Sequence, residues 1–164
     1  MGYVSDLRKI IGKHPIITVG ATIIIVNEQG EILFQHRSDT LDWGLPGGAL
    51  ELTETLEETA LRELKEETGL LAEEFALIAA FSGPDYYYRY PNGDETYSVI
   101  HLYHGKRVSG QLEMTDGESL DLQYFAKDKL PEKIEKRAKA LLSAAGDKLW
   151  KLESSFSKGG RKTE

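Results

Sequence analysis

The chain has 164 residues, of which 40% are hydrophobic and 29% charged, a length that allows one well-buried core but is short for two. Its formal net charge of -7 provides no general attraction to nucleic-acid backbones. The absence of cysteine excludes disulfides, thiolate nucleophiles and thiolate zinc sites. No stretch approaches the roughly 20 apolar residues of a membrane span, and charges interrupt the N-terminal segment, so a cytoplasmic location is expected.

Apolar spacing in the first part of the chain predicts a short helix followed by two strands. Apolar residues recur at helical spacing before Gly12, which predicts a helix over residues 3–12. The β-branched run over residues 16–26 is typical of a strand buried on both faces. Residues 31–37 predict a second strand, antiparallel to the first across a tight turn, so we expect a hairpin.

A loop rich in glycine and proline precedes the best-defined helix of the chain. Residues 43–48 read WGLPGG, so the backbone there turns sharply or approaches another group closely. Residues 55–68 have strong helix propensity, and Gly69 followed by Leu70 supplies a left-handed stop with its hydrophobic contact. The sequence therefore predicts a helix with a defined end, preceded by a loop of specific shape.

The second half of the chain predicts three more strands and a helix. Strands are expected over residues 75–81, 97–107 and 120–125, and the PNGD at residues 91–94 is a candidate turn between the first two. A helix is expected over residues 132–145, with an extension toward the second tryptophan.

This order of elements predicts an α+β fold in which a mixed β-sheet lies between helices. We expect a single domain over residues 1–153. Residues 154–164 contain one aromatic side chain and many small or charged ones, so this segment is predicted to be a mobile tail.

Three carboxylates on the predicted long helix are the first candidates for chemistry. Glu63, Glu66 and Glu67 fall within an arc of roughly 100°, beside the apolar face. A solvated acidic face is the simplest interpretation. However, Glu63 and Glu67 are like charges one turn apart, and the macrodipole disfavours anions near a helix C-terminus. A divalent cation would reverse both penalties, and Mg²⁺ prefers carboxylate, water and phosphate oxygens.

The same segment carries a recognisable signature. Gly48 is followed after five residues by Glu54, and then after seven more by the string RELKEETGL at residues 62–70. In this respect the chain resembles the MutT-like Nudix hydrolases at every specified position of their signature. The resemblance implies an α/β/α sandwich and the hydrolysis of a phosphoanhydride bond in a nucleoside diphosphate linked to another group. It also implies Mg²⁺ as cofactor, with Mn²⁺ as a substitute.

The resemblance further implies roles for individual residues. Glu66 and Glu67 match the principal metal ligands, and the Gly48 carbonyl matches a further ligand. Glu63 matches a residue that binds metal or acts as the base in different relatives. The other matched positions are the orienting Arg62 and Glu54 and the structural Gly47 and Gly69.

The identity of the base stays open at this point. Some relatives take it from a distant loop, and Glu118, just before the last predicted strand, resembles such a position. Its neighbours Glu113, Asp116 and Asp121 compete for the same role, and a solvated acidic turn explains all four equally well.

Candidate substrate contacts lie outside the signature. Arg37 ends a predicted strand and is a candidate for bidentate hydrogen bonds to phosphate. Trp43 is expected either to stack on a base or to pack in the core. Tyr86, Tyr88 and Arg89 belong to a tyrosine-rich segment that suits base stacking and a phosphate contact, or alternatively a homodimer interface.

Several substrates are compatible with these features. Pro84 resembles a proline of the ADP-ribose subgroup, whereas the nearby tyrosines resemble one in diadenosine-polyphosphate hydrolases. The leading hypothesis is a nucleoside triphosphate or a nucleotide sugar such as ADP-ribose. The alternatives are dinucleoside polyphosphates, an RNA 5′ end, which the negative net charge disfavours, and a non-catalytic nucleotide-binding regulator, which has no need of clustered carboxylates. Neither a membrane nor nucleic acid is an expected partner.

Overall fold

The computed structural model describes residues 2–156, which contain three α-helices and eight β-strands. In chain order these are α1 (Tyr3–Ile11), β1 (Ile16–Ile24), β2 (Ile32–Arg37), β3 (Trp43–Gly44), β4 (Gly47–Ala49), α2 (Leu56–Thr68), β5 (Leu71–Phe81), β6 (Tyr87–Arg89), β7 (Glu95–Ser109), β8 (Ser119–Phe125) and α3 (Lys136–Ala145). A 3₁₀ segment, Gly146–Lys151, extends α3. None of the helices within residues 2–156 has the length and apolar character that crossing a bilayer requires.

The strands form two sheets. The five-stranded sheet has the order β4-β1-β7-β5, with β6 also paired to β7, and the three-stranded sheet has the order β3-β2-β8. Strands β1 and β7 are parallel along their full shared length, from Ile16 opposite Thr96 to Ile24 opposite His104. All the other pairings are antiparallel. The predicted mixed sheet is therefore confirmed.

The predicted hairpin between the first two strands is wrong beyond the turn. Val26 forms a single antiparallel bridge to Ile32, and the Leu33 N–H donates to the Ile25 carbonyl at 3.0 Å. Farther from the turn the two strands separate into different sheets. Both edges of β1 are occupied by β4 and β7, and both edges of β2 by β3 and β8. Local turn chemistry predicted contiguous pairing, but long-range partners occupy the edges.

The turn at residues 91–94 also joins different strands from those expected. It connects the short β6 to β7. Strand β5 also pairs with β7, with Leu71 opposite Ser109, but β6 lies between these two strands in the sequence. Strand β7 is long enough to pair with three strands, β1, β5 and β6.

Two hydrophobic clusters lie on opposite faces of the central strand. Ile23 and Ile25 face a cluster that includes Leu64 of α2, whereas Ile24 and Val26 face one that includes Leu141 of α3. These four side chains are at most 1% exposed, as the apolar run predicts. The prediction is wrong for the start of β1, where Ile17 and Val19 are 74% and 37% exposed. Helices α2 and α3 thus cover opposite faces, which is the predicted α/β/α arrangement.

The polypeptide packs beyond the predicted end of the domain. Ser155 is fully buried, its N–H donates to the Val26 carbonyl at 2.8 Å, and its carbonyl accepts from Val108 N–H at 2.9 Å. The Ser155 hydroxyl also accepts from Val26 N–H at 2.9 Å. The prediction of a mobile tail from residue 154 is therefore wrong for residues 154–156, because these bonds satisfy core backbone groups. Residues 157–164 lie outside the described part of the chain.

Helix α2 is defined at both ends by its own sequence. Thr55 and Glu58 form a reciprocal capping box, in which each side chain accepts a bond from the other residue's N–H. At the other end Gly69 has φ 77°, and a Cβ there would lie 2.8 Å from the Gln111 carbonyl oxygen. Glycine is required at this position both for conformation and for space.

Replacing Gly69 by alanine is expected to lower the melting temperature more than replacing Gly30. Gly30 has the similar φ of 75°, but no atom lies within 4 Å of the place that an added Cβ would take. Both substitutions introduce left-handed strain of about 1–2 kcal/mol, and only Gly69→Ala adds a backbone clash. Thermal unfolding of the two variants checks this; equal shifts would mean that the contact with Gln111 relaxes at no cost.

Candidate active site

A cavity of about 700 Å³ lies between the paired strands β1 and β7 and the helices around them. Its wall includes residues from α1, from the β4 loop, from α2 and from the start of α3. Among the lining residues are Glu63, Glu67 and Glu118, which the sequence analysis proposed for chemistry, together with Gly47, Gly48 and Arg37. Distant segments therefore meet at a single concave surface of ligand size.

Glu67 is the most buried carboxylate of the group. Its residue surface is only 4% exposed, and Gly47 N–H donates to Oε2 at 2.9 Å. Burial, followed by the nearby charge of Glu63, raises the pKa of Glu67 well above its usual value. Arg37 acts on it electrostatically in the opposite direction. The ionised form of Glu67 is thus short of positive charge.

Glu63 lies against the backbone of the β4 loop. A Cβ added at Gly48 would collide with its Oε1, so any other residue at position 48 would displace this carboxylate. Arg62 Nη1 donates to the same oxygen at 2.7 Å. Burial raises the pKa of Glu63, although the bond from Arg62 opposes that shift. Glycine at position 48 therefore permits the approach of a carboxylate to the main chain.

Arg62 joins the helix to the loop. Its Nε donates to Glu54 Oε1 at 2.6 Å and its Nη2 to the Ala49 carbonyl at 3.1 Å. The bond from Arg62 lowers the pKa of Glu54 to about 2. Glu66 is more exposed, with Oε2 3.4 Å from Arg62 Nη1. The Arg62 guanidinium is always charged and contacts several carboxylates, so it is suited to orienting those carboxylates.

The donor chemistry here fits a hard divalent cation. Within residues 2–156 no three His, Cys, Asp or Glu side chains converge as a ready-made metal site, because Arg62 and Gly47 hold the carboxylates in their present directions. All the available donors are oxygens, which Mg²⁺ and Mn²⁺ prefer. The raised pKa values of Glu63 and Glu67 arise from burial without sufficient compensating charge, which a cation would supply.

Glu118 reaches the same cavity from the loop before β8. Its carbonyl accepts from Ser38 N–H at 2.9 Å, which attaches the loop to the end of β2. Burial and the nearby Asp116 raise the pKa of Glu118. The competing Glu113, Asp116 and Asp121 do not line the cavity. Tertiary structure thus distinguishes Glu118 from neighbours that the sequence left equivalent.

Arg37 lines the cavity as well, and its guanidinium is held by a neighbour. Nε and Nη2 donate to the two carboxylate oxygens of Asp39 at 3.0 and 2.8 Å. Although burial lowers the pKa of Arg37, Asp39 raises it above its usual value. The side chain is therefore a fixed positive charge in the wall.

Four of the predicted substrate contacts, Trp43, Tyr86, Tyr88 and Arg89, do not line the cavity. Trp43 stacks on His36 with ring centroids 4.8 Å apart and packs against the hydrophobic cluster, so its packing role is realised. Tyr86 is 5% exposed and packs against Phe81. Arg89 is exposed on β6. Core packing and strand alternation turn these side chains away, so their substrate-binding role is not supported.

Other residues in the cavity wall were not singled out in the sequence. Tyr90, Ser98 and Arg137 meet there, and Arg137 Nη1 lies 3.3 Å from the Tyr90 hydroxyl across 47 positions of sequence. Tyr88, which was singled out, lies under the Arg137 guanidinium at 4.5 Å from the ring centroid. No local pattern could have paired residues so far apart in sequence.

The sandwich and its carboxylate-lined cavity define a hydrolase of the kind that the signature predicts. The NUDIX domain family model matches residues 17–145, and the chain therefore belongs to the NUDIX family. It is a Nudix hydrolase, of the pyrophosphohydrolase class.

Individual relatives agree with this assignment. A Bacillus subtilis (strain 168) protein, provisionally named as an 8-oxo-dGTP diphosphatase, is 37% identical over 115 residues, which cover 70% of each chain. The ADP-ribose pyrophosphatase of Methanocaldococcus jannaschii is 32% identical over 131 residues, covering 77% of this chain and 72% of that protein. The crystal structure of a MutT NUDIX hydrolase from Burkholderia pseudomallei superposes with a TM-score of 0.62 at 28% identity, covering 77% of this chain and 96% of that one.

Proposed function

We propose that this protein is a divalent-metal-dependent pyrophosphohydrolase that cleaves a phosphoanhydride bond of a small nucleotide by attack of water at phosphorus. The observation that carries the proposal is the meeting of Glu63, Glu67 and the Gly48 backbone in a cavity of about 700 Å³. Two buried carboxylates with raised pKa values are unfavourable in the isolated fold, and a cation bound with phosphate would compensate them.

The metal would be held by Glu63, Glu66, Glu67 and the Gly48 carbonyl. A divalent cation there would neutralise charge on the diphosphate and lower the pKa of nearby water. Arg62 orients Glu63 and Glu66 through its hydrogen bonds. Arg37 supplies fixed positive charge beside the transferred phosphate. These groups would position the substrate and stabilise the charge of the transition state, which is most of what phosphoryl transfer requires.

We assign the general base to Glu118. Glu63 already accepts a strong bond from Arg62, which reduces its basicity. Glu118 has no such arginine bond within residues 2–156, and its raised pKa makes it a better proton acceptor near neutral pH. In the reaction, water forms a bond to phosphorus, the bridging P–O bond breaks, and the water proton passes to the Glu118 carboxylate. Glu63 as the base is the alternative.

The substrate is a nucleoside triphosphate or a nucleotide sugar such as ADP-ribose. The names of the similar proteins include both classes, and the cavity volume suits a mononucleotide. Dinucleoside polyphosphates and RNA 5′ ends are less favoured, since the net charge is -7. A regulator that binds nucleotide without turnover is the alternative of another class. The cytoplasmic location and a homodimer stay predictions.

A phosphate-release screen with Mg²⁺ tests this proposal directly. The panel contains nucleoside triphosphates, ADP-ribose, other nucleotide sugars and dinucleoside polyphosphates, with coupling enzymes that release phosphate from either product. Turnover is expected for a mononucleotide class and is expected to fall to background in EDTA and to return with Mg²⁺ or Mn²⁺. Turnover that persists in EDTA contradicts the metal site, and nucleotide binding without turnover across the panel identifies a regulator.

A further inference from the structure

A second group of side chains in the cavity wall lies apart from the carboxylates. We call it the arginine end, and it consists of Tyr90, Ser98, Glu135 and Arg137; Tyr88 packs against the Arg137 guanidinium but does not line the cavity. Arg37 connects the two regions, because it interacts electrostatically with Glu67 on one side and with Tyr90 and Glu135 on the other. A nucleotide whose phosphates lie near Arg37 would therefore extend its other end toward Arg137.

The Arg137 guanidinium is fixed before any ligand arrives. Its side chain is 14% exposed, and Nε donates to Glu135 Oε1 at 2.8 Å. The guanidinium lies over the Tyr88 ring at 4.5 Å and the Tyr90 ring at 5.5 Å. Cation–π contact and the ion pair hold it in one orientation, so little side-chain entropy is lost when it binds.

This end of the cavity is rich in hydrogen-bond donors. Arginine carries five N–H donors and no acceptor, yet Nη1 makes only long contacts, at 3.3 Å to Tyr90 and 3.5 Å to Ser98. In the described part of the chain, Nη2 forms no hydrogen bond. Because Arg137 lines the cavity, donors that the protein leaves without close partners can bind a ligand that brings acceptors.

The neighbouring acidic side chain, Glu135, is already engaged within the protein. Glu135 is 4% exposed, and its second oxygen, Oε2, already accepts from Ala138 N–H at 3.0 Å at the start of α3. Both oxygens are therefore engaged within the protein. A ligand group that donates hydrogen bonds would face the donors of Arg137, beside a carboxylate whose two oxygens each already accept a bond from the protein.

We infer that Arg137 is a specificity-determining residue that selects the nucleobase of the substrate. It favours a base with a keto oxygen beside a ring acceptor nitrogen, as in guanine or hypoxanthine. It disfavours a base with an amino group at that position, as in adenine. The inference rests on the proposed function. An arginine fork matches the O6 and N7 acceptors of a keto purine, whereas the amino group of adenine places a donor against donors. We expect a preference of about tenfold or more for the keto base, expressed mainly in KM.

The test compares substrates that differ only at this position of the purine. Steady-state kinetics of the wild-type protein with ITP and ATP are expected to give kcat/KM at least about tenfold higher for ITP. Titration with the α,β-methylene analogues of ITP and ATP measures the same preference without turnover. This comparison needs no mutation.

Two variants locate the preference. Arg137→Gln replaces a pure donor by an amide that both donates and accepts and that suits adenine, so the preference is expected to fall to within about threefold. Lys136→Gln makes the same kind of change one residue earlier, where the side chain lies over Tyr87 outside the cavity, and is expected to keep the preference. Melting temperatures of both variants verify folding.

Each outcome decides between the two proposals. Hydrolysis with equal kcat/KM for ITP and ATP overturns the role of Arg137 and leaves the proposed function intact. A tenfold binding preference for the ITP analogue without hydrolysis of any nucleotide supports the role of Arg137 and refutes the proposed function. If Arg137→Gln weakens both analogues equally, the arginine binds an anionic group common to them, and base selection is wrong.

Discussion

Glu67→Gln is expected to reduce kcat/KM at least about 100-fold with any substrate and, at the same time, to raise the melting temperature of the metal-free protein. Loss of an outer-shell partner of a metal already costs about 10–100-fold, and Glu67 is proposed as a direct ligand. The amide keeps an oxygen that can accept from Gly47 N–H. It removes the negative charge that is unfavourable when buried.

The stability effect has a defined dependence on pH. Burial raises the pKa of Glu67 above its unfolded value, so the folded protein binds more protons than the unfolded chain between these two values. The stability of the metal-free wild type therefore falls as pH rises through that window, and the Gln variant lacks this loss. Mg²⁺ requires the ionised form, so its stabilising effect on the wild type should grow with pH.

Thermal unfolding in EDTA and in Mg²⁺ at several pH values measures both effects. The wild type is expected to be less stable than Glu67→Gln in EDTA and to gain more from Mg²⁺. Glu73→Gln is the matched control, because Glu73 is an exposed carboxylate paired with Arg107 on the surface. If Glu67→Gln gained as much from Mg²⁺ as the wild type, Glu67 would not be a ligand. A loss of stability in EDTA would instead mean that the buried charge of Glu67 does not destabilise the metal-free fold.

Glu118→Gln is expected to lower kcat by about 10²–10⁴-fold, the usual contribution of a positioned base. Because the pKa of Glu118 is raised by burial and by Asp116, the wild-type rate should decline as pH falls through that raised value and the carboxylate becomes protonated. The variant should lack this acidic limb. The pH dependence of kcat and kcat/KM for both proteins, at saturating Mg²⁺, provides the measurement.

Glu113→Gln is the control for removing a carboxylate near Glu118. Glu113 lies outside the cavity wall, so this variant should alter kcat less than about threefold, well below the contribution of a base. Glu63→Gln separates the two candidate bases. A loss below about tenfold in Glu118→Gln, together with a far larger loss and a missing acidic limb in Glu63→Gln, would transfer the role of base to Glu63.

Local sequence determined the parts of the protein whose physical causes are themselves local. The Thr55 and Glu58 capping box and the left-handed Gly69 define α2, and helical periodicity places Glu63, Glu66 and Glu67 along one side of it. The apolar run over residues 16–26 predicted burial on both faces correctly for Ile23 to Val26, but wrongly for its start, where Ile17 and Val19 are exposed. Because these causes act within a few residues, the helix and its cluster of carboxylates could be predicted without a structure, and the class of hydrolase followed from resemblance to the Nudix signature.

Tertiary structure alone decided the features that depend on distant partners. Pairing of β1 with β7 separated the expected hairpin, and packing directed Trp43 and Tyr86 into the core instead of the cavity. The loop attachment at Ser38 brought Glu118 into the cavity wall. Arg137 met Tyr90 only because α3 crosses the sheet there. The sequence determined helix α2 and its carboxylates because their signals are local, whereas the positions of the proposed base and of the proposed substrate end depend on long-range packing, which no short motif encodes.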